Sequence, residues 1–124
     1  MLDTRNKILD AARAAEIVNA GATVVVAYFD PLIAWHSRWL AMFKKPDRPL
    51  LVVIADPDRA ILPNAARREL VAGLRIVDYV AEFTPELVAA SKGAHRLESQ
   101  DRELFADLLK LVHQRNQGVA APAN

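Results

Sequence analysis

TVVVAYFDPLIAWHSRWL, residues 23–40, sets a β-branched run against a tryptophan-bearing segment, with Phe29-Asp30-Pro31 marking the turn between them. Residues 23–28 are almost continuously apolar. This is the pattern of a strand covered on both faces in a parallel sheet, not the alternation of a half-exposed strand. Residues 34–43 then suit a helix that stops at Lys44-Lys45-Pro46.

The same two signals repeat outward from this stretch. LLVVIA at 50–55 is a second buried strand closed by Asp56-Pro57-Asp58. Residues 64–73 read as a helix with Asn64 as N-cap and Gly73 near its end, and 75–80 as a short third strand. Upstream, Ile8, Leu9, Ala12, Ala15, Ile17 and Val18 recur near helical spacing, which predicts a helix over 4–20 with Asp3 or Thr4 as cap and Gly21 as stop. Two consecutive crossovers imply right-handed connections and a parallel sheet in the order 3-2-1. Beyond Phe83 the pattern changes. Thr84 and Pro85 suit the start of a helix over 86–91, and 99–117 reads as one long helix. No fourth strand is expected, and the tail GVAAPAN at 118–124 reads as frayed and flexible. The chain is therefore read as one domain over 1–124, with a βαβαβ core and N-terminal helix in 1–83 and a helical segment in 84–117.

Composition limits the partners. Sixteen basic against fifteen acidic residues, scattered along 124, leave no footprint for a polyanion, so no nucleic acid partner is expected. Cysteine is absent, which removes disulfides, thiolate metal sites and cysteine nucleophiles together. No apolar run approaches the roughly 20 residues of a membrane span, and the N-terminus has no apolar core of signal-peptide type. The expectation is a cytoplasmic protein with no membrane association.

Residues 7–83 resemble the cytidylyltransferase-like nucleotidylyltransferases, of the heptose-phosphate adenylyltransferase and glycerol-phosphate cytidylyltransferase type. The likeness rests on Phe29-Asp30 followed by a helix with Arg38-Trp39-Leu40, on LLVVIAD at 50–56, and on RRELVAGLRIVDYV at 67–80. It implies a three-layer Rossmann-like fold. It also implies an H-x-G-H turn, which here falls on Ile33, Ala34, Trp35 and His36, so the second histidine alone remains. In that family the paired imidazoles stabilise charge on the α-phosphate, and losing one donor of this kind removes about 3–4 kcal/mol of transition-state stabilisation. The family's glycine lets a nucleotide approach the backbone, and the Trp35 indole is expected to fill that space. Val26-Ala27-Tyr28 replaces a T-N-G-type polar wall, and nothing from Thr84 onward matches the family's fourth strand or its I-S-S/T-T-x-x-R triphosphate segment.

Each candidate residue has a plain reading beside the functional one. His36 is a remnant phosphate contact or a packed, capping side chain. Asp30 is a ligand group at a strand end or a turn residue before proline. Arg67, which the resemblance places on a family arginine, is an anion contact or part of a helix. Asp56 and Asp58 read as a turn, Trp35 and Trp39 as a packed plug, and His95 and His113 as surface groups with no metal-site spacing. Leu104, Leu108 and Leu111, widened by Phe105, Leu109 and Val112, form an apolar stripe that either covers a bare sheet edge or pairs with a second copy or another protein. The reading is a non-catalytic nucleotidylyltransferase-like module that binds or assembles, needing no cofactor or metal. The alternatives are an active nucleotidylyltransferase acting on a sugar- or alcohol-phosphate with magnesium and nucleotide, and a nucleotide sensor.

Overall fold

Thr23–Ala27 forms β1 and Leu50–Ile54 forms β2, and all ten residues are buried. The computed structural model of the chain describes residues 3–120. β1 and β2 run parallel, Thr23 opposite Leu50 and Ala27 opposite Ile54, and β3 (Tyr79–Glu82) pairs parallel on the far side of β2. A two-residue strand, β4 (His95–Arg96), pairs parallel with the other side of β1, so the sheet order is β3-β2-β1-β4.

The expected order 3-2-1 is thus extended by a fourth strand. His95 and Arg96 carry no β-branched or apolar pattern and are far fewer than the usual five or six residues, so local sequence does not announce them. β1 recruits them: Val25 and Val26 pair with them, and the Leu97 amide donates to the Val26 carbonyl at 2.8 Å.

Five α-helices surround this sheet among the described residues: α1 Ala11–Asn19, α2 Ala34–Phe43, α3 Asn64–Ala72, α4 Pro85–Ala90 and α5 Glu98–Ala120. Because side chains alternate across a strand, Val25, Val52 and Ile54 face α2 and α3 through Leu40 and Val71. Val24, Val26, Leu51 and Val53 face α1 and α4 through Ala14, Val18 and Leu87. The result is three layers, helix on sheet on helix, as the continuous apolar strands require.

Several boundaries differ from expectation for identifiable reasons. The helix read over 4–20 divides. Asp3 caps only a 3-10 turn at Thr4–Lys7, Ile8 bridges to Val80, and the Leu9 amide donates to the Val80 carbonyl before Asp10 caps α1 through the Arg13 amide. The pairing at Ile8 and Leu9 covers the exposed edge of β3. β3 begins at Tyr79, not at residue 75, because Asp78 turns its carboxylate to the Leu50 amide and to Lys44. Asn64 is the first residue of α3 and not its cap; its side-chain amide reaches back to the Ile54 carbonyl. Thr84 caps α4 as expected, accepting from the Leu87 amide. Residues 118–120, read as part of a flexible tail, belong to α5, and 121–124 lie outside the described residues.

Leu40 is fully buried between α2 and the sheet. Leu40→Ala is expected to lower the free energy of unfolding by about 2–5 kcal/mol, the range for emptying a core leucine site. Urea titration should show a lower midpoint with unchanged slope, and a loss under about 1 kcal/mol would contradict this packing.

Candidate functional site

The chain leaves β1 through a backbone turn held by two distant side chains, Asp101 and Arg67, and by its own Asp30. Phe29 is buried with φ of 51°, a left-handed conformation uncommon for a bulky residue, and the Asp30–Pro31 peptide is cis. One oxygen of Asp101, Oδ2, accepts the amides of both Tyr28 and Phe29 at 2.8 Å. The Tyr28 carbonyl accepts from Arg67 at 2.9 Å. The Asp30 carboxylate accepts the amides of Ile61 and Leu62 at 2.6 and 2.8 Å, fastening the turn to the loop before α3.

His36 stands at the third position of α2, 2% exposed. Its Nδ1 accepts the Ile33 amide at 3.0 Å, which is the reciprocal half of a capping box; Ile33 has no side-chain oxygen to supply the other half. Because Nδ1 accepts, Nε2 carries the ring proton, and it donates to Asp101 Oδ1 at 2.7 Å. Phe29 and Trp39 pack on the ring, with centroids at 4.8 and 5.5 Å. Both ring nitrogens are therefore engaged inside the protein.

Arg67 is fully buried in α3 and gives its donors to the carbonyls of Leu62, Tyr28 and Ala55 and to the Asp56 carboxylate, with Asp30 Oδ1 4.0 Å from Nε. It ties the ends of β1 and β2 to α3, and no face of the guanidinium is presented to solvent. Asp56 also accepts from the Asn64 amide at 2.9 Å. Asn64 first, and Arg67 second, hold the Asp56 carboxyl below the ordinary aspartate range despite some burial. Asp30, His36 and Arg67 gather at one end of β1, and each is spent on protein partners.

In an open parallel sheet ligands enter at the carboxyl ends of the strands, where the strand order reverses. Here that point lies between β1 and β4, and the first turn of α5 sits over it. Asp101 is 4% exposed there, and Arg102 donates to the Tyr28 hydroxyl at 3.0 Å. The space left, bounded by Tyr28, Asp30, Ile61, Arg102 and Phe105, is about 80 Å³, well below the several hundred typical of ligand pockets. A neighbouring cleft of about 320 Å³ lies over the end of β2, between Asp56, Asn64, Glu82 and Arg96. Trp35, expected to fill the nucleotide space, instead points outward, 52% exposed, with Arg38 stacked 4.8 Å from its ring centre. Trp39 is half-buried against His36, and His95 packs on Phe43 at 4.4 Å. The plug is the α5 turn.

Asp101 was not singled out by the sequence reading, yet it carries the arrangement. The signal was present: Leu97, Asp101, Leu104 and Leu108 share one helix face at steps of four, three and four, so a carboxylate interrupts an apolar stripe. Among the described residues no group of three or more His, Asp and Glu is placed to hold a metal, and no helix is long and apolar enough to cross a membrane. No protein-family model and no curated protein matches the chain.

Removing Asp101 would leave two backbone amides and the His36 Nε2 proton buried without acceptors. Asp101→Ala is expected to cost about 3–5 kcal/mol of stability by chemical denaturation. Asp101→Asn should be only partly tolerated. If its oxygen takes the two amides, its NH₂ faces the Nε2 proton, and switching the tautomer turns an Nδ1 proton against the Ile33 amide. A neutral outcome for both variants would refute the network. The lowered Asp56 titration gives a separate expectation. Its stabilising contribution is full above the unfolded aspartate value of about 4 and is lost as pH falls through the lower folded value. Asp56→Asn should therefore flatten the acid limb of a stability–pH profile below about pH 4, an effect kept small by the 60% exposure of the side chain.

Proposed function

We propose that this chain is a non-catalytic, nucleotidylyltransferase-like assembly module that associates with a second copy of itself through α5. The observation that carries the proposal is the uncovered part of α5. Its first turn is seated on the domain through Asp101, and Leu104, Phe105 and Leu108 are half-buried. Leu109, Leu111 and Val112 are then 54%, 50% and 47% exposed. A helix that left the domain only to lie in water would be polar all round. A segment of about a dozen residues is also only marginally helical without packing, so the continuing helix favours a partner for this face.

Charge order along the helix supports an antiparallel pair. Glu103 and Asp107 precede Lys110 and Arg115, so antiparallel copies set the acidic half of one against the basic half of the other. The apolar path also continues onto the domain, since Phe105 and the exposed Ile61 border the same small groove. The non-catalytic part of the reading draws on the engagement of His36, Arg67 and Asp30 by internal partners and on the filled crevice.

Size-exclusion chromatography with light scattering should give a mass twice that of the 13.7 kDa chain. Leu108→Glu with Leu111→Glu should raise the dissociation constant by a hundredfold or more, about 3 kcal/mol, while leaving the circular dichroism of the domain unchanged. A wild-type monomer at high concentration would count against self-association. Calorimetric titration with ATP and with CTP in magnesium should show no heat. Heat without pyrophosphate release would favour a nucleotide sensor, and pyrophosphate release in the presence of a sugar- or alcohol-phosphate would favour the enzyme.

A further inference from the structure

A cleft of about 670 Å³ lies at the other end of the strands, where three turns lead into their amino ends. The α1–β1 turn contributes Asn19 and Gly21, the α2–β2 turn Lys45 and Arg48, and the α4–β4 turn Lys92 and Gly93, with the half-buried His95 beside them. No aspartate or glutamate lines it. Elsewhere the chain pairs many of its cations with carboxylates: Arg5 with Asp3, Arg13 with Glu16, Lys44 with Asp78, Arg67 with Asp56 and Arg96 with Glu98. Lys45, Arg48 and Lys92 have no ion pair among the described residues.

Two of these cations are held together by the backbone itself. Lys45 and Arg48 form an antiparallel bridge that closes the tight turn between α2 and β2. Residues opposite one another in such a bridge lie side by side, and like charges in that position repel. Asp47, within the turn, forms no ion pair with either. Gly21 and Gly93 keep the opposite wall low: a side chain at either would meet open space, and Gly21 has φ of 101°, which suits glycine at this helix stop.

We infer that this cleft is a binding site for a small, multiply charged anion of the diphosphate type. The volume falls within the range of small-ligand sites, and the cations converge on a concavity instead of running along a face, which fits a compact anion and not a nucleic acid strand. An anion between Lys45 and Arg48 would relieve their repulsion, and Lys92 would approach it from the facing turn. The inference is independent of the α5 pairing, since it rests on different residues at the amino ends of the strands.

The test is a ¹H–¹⁵N titration of the full chain with inorganic pyrophosphate at low salt. Amide shifts should concentrate at Gly21, Ala22, Lys92 and Gly93, and the affinity should fall steeply as salt is added. Lys45→Ala with Arg48→Ala should weaken binding by about tenfold or more, whereas Arg75→Ala with Arg115→Ala, an equal change of net charge elsewhere, should change it by less than about twofold. Both pairs are exposed, so each variant should keep the wild-type spectrum outside its own neighbourhood. No shifts up to roughly 10 mM, weaker than even millimolar recognition, would overturn the inference. So would shifts centred at Tyr28–Asp30 instead, or equal weakening by both variant pairs.

Discussion

The arrangement depends on one carboxylate. Asp101 accepts two consecutive backbone amides at the end of β1 and the proton of the His36 ring, and it does so from the first turn of a helix some seventy residues downstream. A buried charge is tolerable only when donors surround it, and here three do. In return, Phe29 can hold a left-handed backbone conformation that costs on the order of 1–3 kcal/mol, because hydrogen bonds to a charged group contribute about 1.5–3 kcal/mol each. Arg67 holds the same peptide from the other side through the Tyr28 carbonyl. The turn is therefore fixed by groups that engage the Tyr28 and Phe29 amides, the Tyr28 carbonyl, the Asp30 carboxylate and both His36 ring nitrogens inside the protein.

This gives His36 a structural role. Here the ring caps α2 with one nitrogen and anchors α5 with the other. The fourth strand reverses the strand order between β1 and β4, and the α5 turn occupies the crevice that forms there. Both features come from the same short segment, 95–101, which supplies the strand and seats the first turn of α5 over the strand ends.

Most of the fold was legible because β1 and β2 are short, almost wholly apolar and flanked by turn residues, so burial on both faces was the one physical outcome. The bounds of α2 followed from Lys44-Lys45-Pro46, and the start of α4 from Thr84-Pro85. β4 was not legible, since two polar residues become a strand only when β1 offers unpaired backbone groups. The break at Ile8–Leu9 was hidden for a similar reason, because edge pairing to Val80 overrides a helical apolar spacing. Within the site, Asp30 was singled out by its place at the strand end and His36 and Arg67 by the resemblance, but their partners were not. Those partners are mostly backbone amides and carbonyls, which a sequence pattern does not distinguish.

α5 thus has two parts with different physical duties. The part near Asp101 completes the domain, and the part beyond Leu108 presents half-exposed leucine and valine side chains, the face we propose pairs with a second copy. The claim on which both rest is that the His36 ring is a structural joint between α2 and α5. Long-range ¹H–¹⁵N correlation of that imidazole, with and without saturating magnesium and ATP, tests it most directly. The account predicts a proton on Nε2, a hydrogen-bonded Nδ1 and ring-nitrogen shifts that nucleotide leaves unchanged. A proton on Nδ1, or ring-nitrogen shifts that move with nucleotide, would contradict it.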